Sequence, residues 1–555
     1  MQTAGSGPDS PSIGIFAMLR QPQVVIRGIS ASYLSTAACS GCRSPPPPNR
    51  SGTRYAFSLE HQQRSYKVTV SDASLVVAGI GTIATIIWFL IIAHIYPSKT
   101  DFFFANRSLH AIQIRANLAA TATSLAGALF FFLNSTPAFG WIMLLVPVFN
   151  VLGIALFLWL VKDQEPNPTH TGSIYRFIHH RTHSVQIARY SNYVVIVNFV
   201  TIFVIEIVIG SHIFAYFFGG EFLFVFLSAA FLCVVVLWYV TKGGFIAVSN
   251  TDRWQFNLAS LGLLLTFISL GFYWLQTKSD FVALWQVFAA PDLEKPFLWS
   301  FFVNLVFINL LLPSTQISTW QRYSAGLRED VIRGFISAIW SRILPIWFIV
   351  IAISAILSLL TGENPSFVAL FDFLRNDGII FALLVFPLLF IGLVAALVST
   401  ADSMLIAIML AVQDAKKSSD EEQLVIDEKS VAPPRKAVLI TGLFVIAITL
   451  IVEALVSLST DINKTVVQLL FAGYGMPCLL FPLIAFSCLD RNHQLIEGRA
   501  VSALVVGLLV LWGGSIYGMI IGDFMASLLS PVLGILCVGV GVGFGRHPLN
   551  SGIRS

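Results

Sequence analysis

Charge is what this chain has least of: Asp, Glu, Lys and Arg make up only 11% of its 555 residues. Ordinary soluble domains carry about 25%, so a soluble globular chain is excluded. The net charge of +4 comes with no arginine-aromatic groove, and no nucleic-acid partner is expected. Cysteine is also scarce, at six. Cys39 and Cys42 form a CxxC with no second pair, which supports neither a tetrahedral zinc site nor a redox βαβ unit. Cys233, Cys478, Cys488 and Cys537 lie in or beside apolar runs and read as small apolar fillers. No phosphate-binding loop, Ser-His-Asp set or metal-hydrolase pattern stands out, so the chain is not read as an enzyme and no organic cofactor is expected. His179, His180 and His183 share a basic loop with Arg176 and Arg181; a solvated face is the first reading and a metal site the alternative.

What the chain does have is apolar residues, 56% of the total with 46 Phe and a mean hydropathy of +0.80. Runs near 74–96, 112–136, 141–161, 189–217, 221–241, 253–275, 297–317, 333–360, 378–413, 436–458, 463–488, 499–521 and 524–545 are each long enough to cross a bilayer. They lack the ten-residue alternation of a membrane barrel, so their backbone must bond within helices. The expectation is an all-α polytopic membrane protein of about 13 transmembrane helices.

Basic residues crowd into alternate loops between these runs. The opposite loops hold only Lys278, Lys295, Arg375 and Lys464. Because Lys and Arg are retained on the cytoplasmic side, the C-terminus is expected inside and the N-terminus outside, in a cell membrane. Residues 1–73 are Ser/Pro/Gly/Arg-rich, with Pro45 to Pro48 in sequence, and read as a disordered leader or as the product of a start assigned too far upstream.

Three constellations go further. In the first, Asp101-Phe102-Phe103-Phe104-Ala105-Asn106-Arg107-Ser108-Leu109 precedes Ala116-Asn117-Leu118-Ala119-Ala120-Thr121-Ala122-Thr123-Ser124-Leu125-Ala126-Gly127. Small side chains there suit either tight helix packing or irregular backbone lining a cavity. The second is the glycine turn Lys242-Gly243-Gly244-Phe245, followed by Asp252, which can act as a ligand or simply cap a helix. The third is Val398-Ser399-Thr400-Ala401-Asp402-Ser403, a polar island in an apolar run. A carboxylate at the bilayer centre costs about 2.5 to 3.5 kcal/mol, so it faces protein, water or an ion. Its hydroxyls can also bond back to their own helix.

In order and spacing these three blocks resemble the sodium/solute symporter family, over residues 72–545; Trp320-Gln321-Arg322-Tyr323 resembles a further signature of that family. The resemblance implies a LeuT-like core of five helices and an inverted second five, within which substrate and ion bind where the first helix of each repeat is broken. On that reading 74–96 is an extra first helix, 112–275 and 297–488 are the repeats, 499–545 holds two peripheral helices, and 546–555 is a cytoplasmic tail. Gly127 with the Asn134-Ser135-Thr136-Pro137 end, and Pro313-Ser314-Thr315, are the expected weak points.

Carried over by position, the family's sodium site falls on the hydroxyls of Ser399 and Thr400 and the carbonyls of Ala396, Ala120 and Thr123. All are oxygen donors, which suit a hard cation. Asp252, Asp402 and Ser403 resemble a second ion or proton position. Gly127, Phe130, Asn309, Gln316, Gln468 and Tyr474 are substrate-pocket candidates. Gly127 and Leu312 stand where the sugar carriers place Gln and Tyr, which argues against a sugar, although Asn309 matches a polar contact of that branch. Ala122 replaces an Asn or Asp found in some members. Glu206 is one more intramembrane charge, a polar brace or a proton-coupling group.

The resemblance implies sodium-coupled symport of a small organic solute across the lipid bilayer, with sodium as coupling ion and no obligate protein partner. A solute-sensing receptor and a proton-coupled symporter are the alternatives. The receptor would need a signalling domain that the internal loops are too short to fold.

Overall fold

The structure is a computed structural model that describes residues 72–92, 94, 102–218, 221–277, 281–289, 295–362, 365–376, 378–417, 435–457, 462–490 and 493–548. The leader up to Ser71 with its CxxC, Asp101, and the tail after Pro548 lie outside the described residues. Apolar stretches with so little charge can satisfy their backbone only internally, and they do so as helices. In chain order these are α1 (Asp72–Ile92), α2 (Ala111–Thr123), α3 (Leu125–Phe139), α4 (Leu145–Leu160), α5 (Ile174–Thr182), α6 (Val185–Ala215) and α7 (Phe222–Thr277). There follow α8 (Phe281–Ala289), α9 (Lys295–Thr315), α10 (Ile317–Ser324), α11 (Arg328–Ala338), α12 (Leu344–Thr361) and α13 (Phe367–Asn376). The last are α14 (Phe386–Lys417), α15 (Arg435–Ser457), α16 (Ile462–Cys478), α17 (Phe481–Leu489), α18 (Glu497–Ile521) and α19 (Phe524–Phe544). A short antiparallel ribbon, His493–Leu495 with Arg546–Pro548, ties the start of α18 to the end of α19.

Eleven continuous stretches of the described residues are long and apolar enough to span a bilayer. Two of them, Ala111–Leu160 and Phe222–Thr277, each hold two of the runs counted from sequence, so both counts describe the same helices.

The 56 residues of α7 are two passes joined at Gly244, whose φ of 56° and ψ of −161° are open only to glycine. The second pass starts at Phe245, whose N–H donates to the Phe102 carbonyl at 2.9 Å. Asp252 is therefore inside this helix, fully buried, and does not cap it. Substituting Gly244 by alanine is expected to cost about 1 to 3 kcal/mol through backbone strain. A lowered thermal midpoint in detergent checks this; an unchanged one would mean the turn adopts another conformation.

Helix α14 is the centre of the molecule, packed on α2, α3, α6 and α7. Its approach to α7 depends on missing side chains. A Cβ on Gly392 would stand 2.8 Å from the Ala259 Cα, and one on Gly262 would stand 2.7 Å from the Leu388 carbonyl oxygen. Such small-residue contacts supply van der Waals packing in lipid, where hydrophobic driving force between helices is absent.

Candidate functional site

Two helices are broken in the middle of the molecule. The first break is at Ser124, in the left-handed region with φ 36° and ψ 66°, between α2 and α3. The expected weak point, Gly127, lies three residues later and stays helical, as does Pro137 inside α3. A serine tolerates the break because its hydroxyl gains a partner, donating to Glu206 Oε1 of α6. The second break is at Gln316, whose extended backbone (φ −86°, ψ 121°) separates α9 from α10. Here too the proline expected to interrupt the helix, Pro313, remains within it. Helix ends leave carbonyls outside the i to i−4 ladder. Ending α2 at Thr123 frees the last turn, including Ala120 and Thr123, to serve as oxygen ligands.

Opposite this break, α14 carries the polar island. Thr400 donates to the Ala396 carbonyl at 3.1 Å, and Thr123 likewise donates to Ala119 at 2.7 Å, so both hydroxyls bond back to their own helices. Each retains oxygen lone pairs that remain available to a cation. Ser399 behaves differently, donating to Asp252 Oδ1 at 2.5 Å. This bond joins the two ion positions inferred from sequence into one network.

Arg322 belongs to the same network, although the sequence marked it only as part of the Trp320-Gln321-Arg322-Tyr323 signature and among the basic residues of the alternate loops. It lies in the last turn of α10 with 1% exposure, and its Nη2 stands 3.8 Å from Asp252 Oδ2 and 3.1 Å from the Ser403 hydroxyl. Its remaining donors take the Asn117 and Ser318 carbonyls, each at 3.0 Å, and the guanidinium lies 5.8 Å from the centre of the Phe245 ring. A planar guanidinium with five donors can hold four elements at once, which a lysine cannot. The Asp402 oxygens are buried and make no hydrogen bond of ordinary geometry. With both carboxylates ionised, one arginine leaves a single negative charge unbalanced within the cluster.

The side of the basic loops is knitted shut around this cluster. Gln321 donates to the Phe103 carbonyl at 2.7 Å and Asn117 to Ser249 at 2.8 Å. Farther out, Arg176 of α5 binds Asp414 at the end of α14 through Nε at 3.0 Å and Nη2 at 2.8 Å. In the same loop helix, burial pushes His179 and His180 below the ordinary histidine range. Among the described residues, no three His, Cys, Asp or Glu side chains converge on a metal position.

Between the two breaks lies a cavity of about 110 Å³. Gly127, Asn309, Gln316 and Tyr474 line it, together with Thr123 and Ser124 from the first break. The other two pocket candidates do not: Phe130 stacks on Phe367, with ring centres 6.1 Å apart, and Gln468 donates to Ser527 of α19 at 3.2 Å. Ala120, Ala396, Ser399 and Thr400 are buried outside the lining, and Asp252, Asp402 and Ser403 lie beyond them toward the basic loops. Sequence reasoning missed Ser124, Asn150 and Trp347, which also line the cavity, because no motif distinguishes them from packing residues. Arg322 was visible within the Gln-Arg signature, yet only its burial identifies it as part of the site.

No protein-family model matches the chain, and no curated protein matches it in sequence. Solved structures do resemble it. A Na+-coupled sialic acid symporter in its substrate-bound outward-open state aligns with a TM-score of 0.63 and 15% identity, covering 85% of this chain and 99% of that one. A manganese transporter of Eremococcus coleocola aligns with a TM-score of 0.53 and 14% identity, covering 80% and 97%. At such identities the likeness is one of fold. The chain is an all-helical, polytopic integral membrane protein with a LeuT-like repeat of five helices and an inverted five.

Proposed function

We propose that this protein is a secondary active transporter that couples the entry of sodium to symport of a small organic solute by alternating access. The observation that carries the reading is the pair of facing breaks at Ser124 and Gln316, with a cavity between them and oxygen donors of α14 alongside. Broken helices expose carbonyls at membrane depth, and such backbone persists only where it lines a cavity or binds a ligand.

In this reading sodium takes the carbonyls of Ala120, Thr123 and Ala396 and the hydroxyls of Ser399 and Thr400. Donation from Ser399 to Asp252 increases electron density on the serine oxygen and orients its lone pairs toward the ion. Bound sodium holds α14 against the end of α2, favouring the state closed on the basic side and raising solute affinity. Coupling needs no more than such differential affinity between states. Asp252, Asp402 and Ser403, with Arg322, form the second position, taking an ion or a proton. The basic loops face the cytoplasm of a cell membrane, and the cavity faces outward.

Purified protein in proteoliposomes provides the test. An inward sodium gradient is expected to drive solute uptake, with the pH clamped on both sides. Uptake that follows a proton gradient and ignores sodium would assign coupling to the carboxylates alone. Uptake indifferent to both gradients would reject symport.

A further inference from the structure

Resting on the carrier reading, the cavity's chemistry narrows the solute further. Among the described residues, no Asp, Glu, Lys, Arg or His side chain is part of the lining. A solute carboxylate or phosphate would find no cationic side chain to balance it there, and Arg322 is committed to Asp252 and Ser403. What the cavity offers instead is aromatic surface from Phe131, Phe132, Trp347, Phe471 and Tyr474. The rings stand at steep angles to one another: Phe131 to Phe132 at 69°, Phe132 to Trp347 at 71° and Phe131 to Phe471 at 79°. These pairs pack edge to face, and all of these rings belong to the cavity wall.

Directly behind this wall is Glu206. Its carboxyl is fully buried, Oε1 accepts from Ser124, and Oε2 has no hydrogen-bond partner. No cationic side chain pairs with it among the described residues, and the other ionisable group facing it is the Tyr474 phenol of α16. Ser124, Gly127 and Tyr474, which line the cavity, lie between it and this carboxyl. A Cβ on Gly127 would lie 3.0 Å from Glu206 Oε1 and 2.8 Å from the Ser124 hydroxyl, so its absence lets the carboxyl pack against the helix backbone one layer behind the cavity.

We infer that the solute is a small organic cation, an amine or quaternary ammonium, whose charge is held between the aromatic rings and Glu206. Ring faces attract cations through their quadrupole, most strongly when water is excluded. A buried carboxylate without a partner is costly until a counter-charge arrives. The cation meets both requirements, and an uncharged solute of the same shape meets neither.

The test uses the full-length protein in detergent with choline and tetramethylammonium as probes, against the uncharged alcohol in which the choline nitrogen is replaced by carbon. Both cations are expected to raise the thermal midpoint in a concentration-dependent way. The carbon isostere should bind at least about tenfold more weakly, a difference of about 1.4 kcal/mol. Glu206→Gln keeps the acceptor for Ser124 and removes the charge; it should lower cation affinity at least about tenfold and leave the isostere unchanged. Should that variant fold poorly, Gly127→Ala, whose Cβ would crowd the Glu206 carboxyl and the Ser124 hydroxyl out of place, is expected to have the same selectivity effect. Equal binding of cation and isostere, or a Glu206→Gln protein with undiminished cation affinity, would overturn the inference. Gradient-driven uptake of an uncharged solute that the cations do not inhibit would also overturn it, while leaving the carrier reading intact. Cation binding lost in Glu206→Gln, but without uptake under any gradient, would uphold this inference and reject the carrier.

Discussion

Replacing Arg322 by alanine is expected to destabilise the protein by about 3 to 5 kcal/mol, the usual cost of removing one partner of a buried ion pair. The residue is 1% exposed and Asp252 is fully buried, so water cannot replace the lost guanidinium without opening α10 from α14. Asp402 loses the same neighbouring charge. Lysine at this position restores the charge but not the fork that also reaches the Asn117 and Ser318 carbonyls, and should recover only part of the loss. Asp252→Asn added to Arg322→Ala should recover part as well, because the two sites act on one charge pair and are not additive. Thermal unfolding in detergent decides the matter; an Arg322→Ala protein as stable as the parent would mean the cluster is hydrated and the ion pair contributes little.

The second large effect is expected at the other end of this network. Replacing Ser399 and Thr400 together by alanine should abolish the sodium-induced rise in thermal midpoint and the sodium dependence of uptake. If each lost oxygen ligand costs about 1.4 kcal/mol, apparent sodium affinity falls about 100-fold for the pair. The single variants should differ. Ser399→Ala also leaves Asp252 Oδ1 without its donor at 2.5 Å, whereas Thr400→Ala removes a hydroxyl whose proton is spent on its own helix. Ser399→Ala is therefore expected to be the more damaging. A sodium response unchanged in the double variant would reject the proposed site, and one unchanged in Thr400→Ala alone would restrict Thr400 to back-bonding.

Many residues of the candidate site stand out in the sequence itself. Ser399, Thr400 and Asp402 announced themselves because polar groups in apolar runs are expensive, and that cost holds in one dimension as in three, whereas Asp252 stood out by its place after the glycine turn and by the family resemblance. The glycine turn at Gly243-Gly244 was legible for a similar reason, since few residues adopt such a backbone. The breaks were legible only approximately. Gly127 and Pro313 marked the correct helices, yet the chain opens at Ser124 and Gln316, where a side-chain hydroxyl finds Glu206 and where α10 must restart toward α14. Local propensity is a weak guide when a tertiary partner 82 residues away compensates the strain.

By itself, the sequence determined that the chain is helical, that it crosses a membrane many times, and which stretches do so. Those conclusions follow from hydrophobic run length and backbone hydrogen bonding, which depend on neighbours along the chain. Tertiary structure alone decided that Arg322 is a buried counter-ion and no loop charge, that Asp252 bonds to Ser399, and that Phe130 and Gln468 turn away from the cavity while Glu206 stands behind Gly127. Each is a contact between helices far apart in sequence, set by how side chains of specific volume interlock, and helical periodicity carries no record of it.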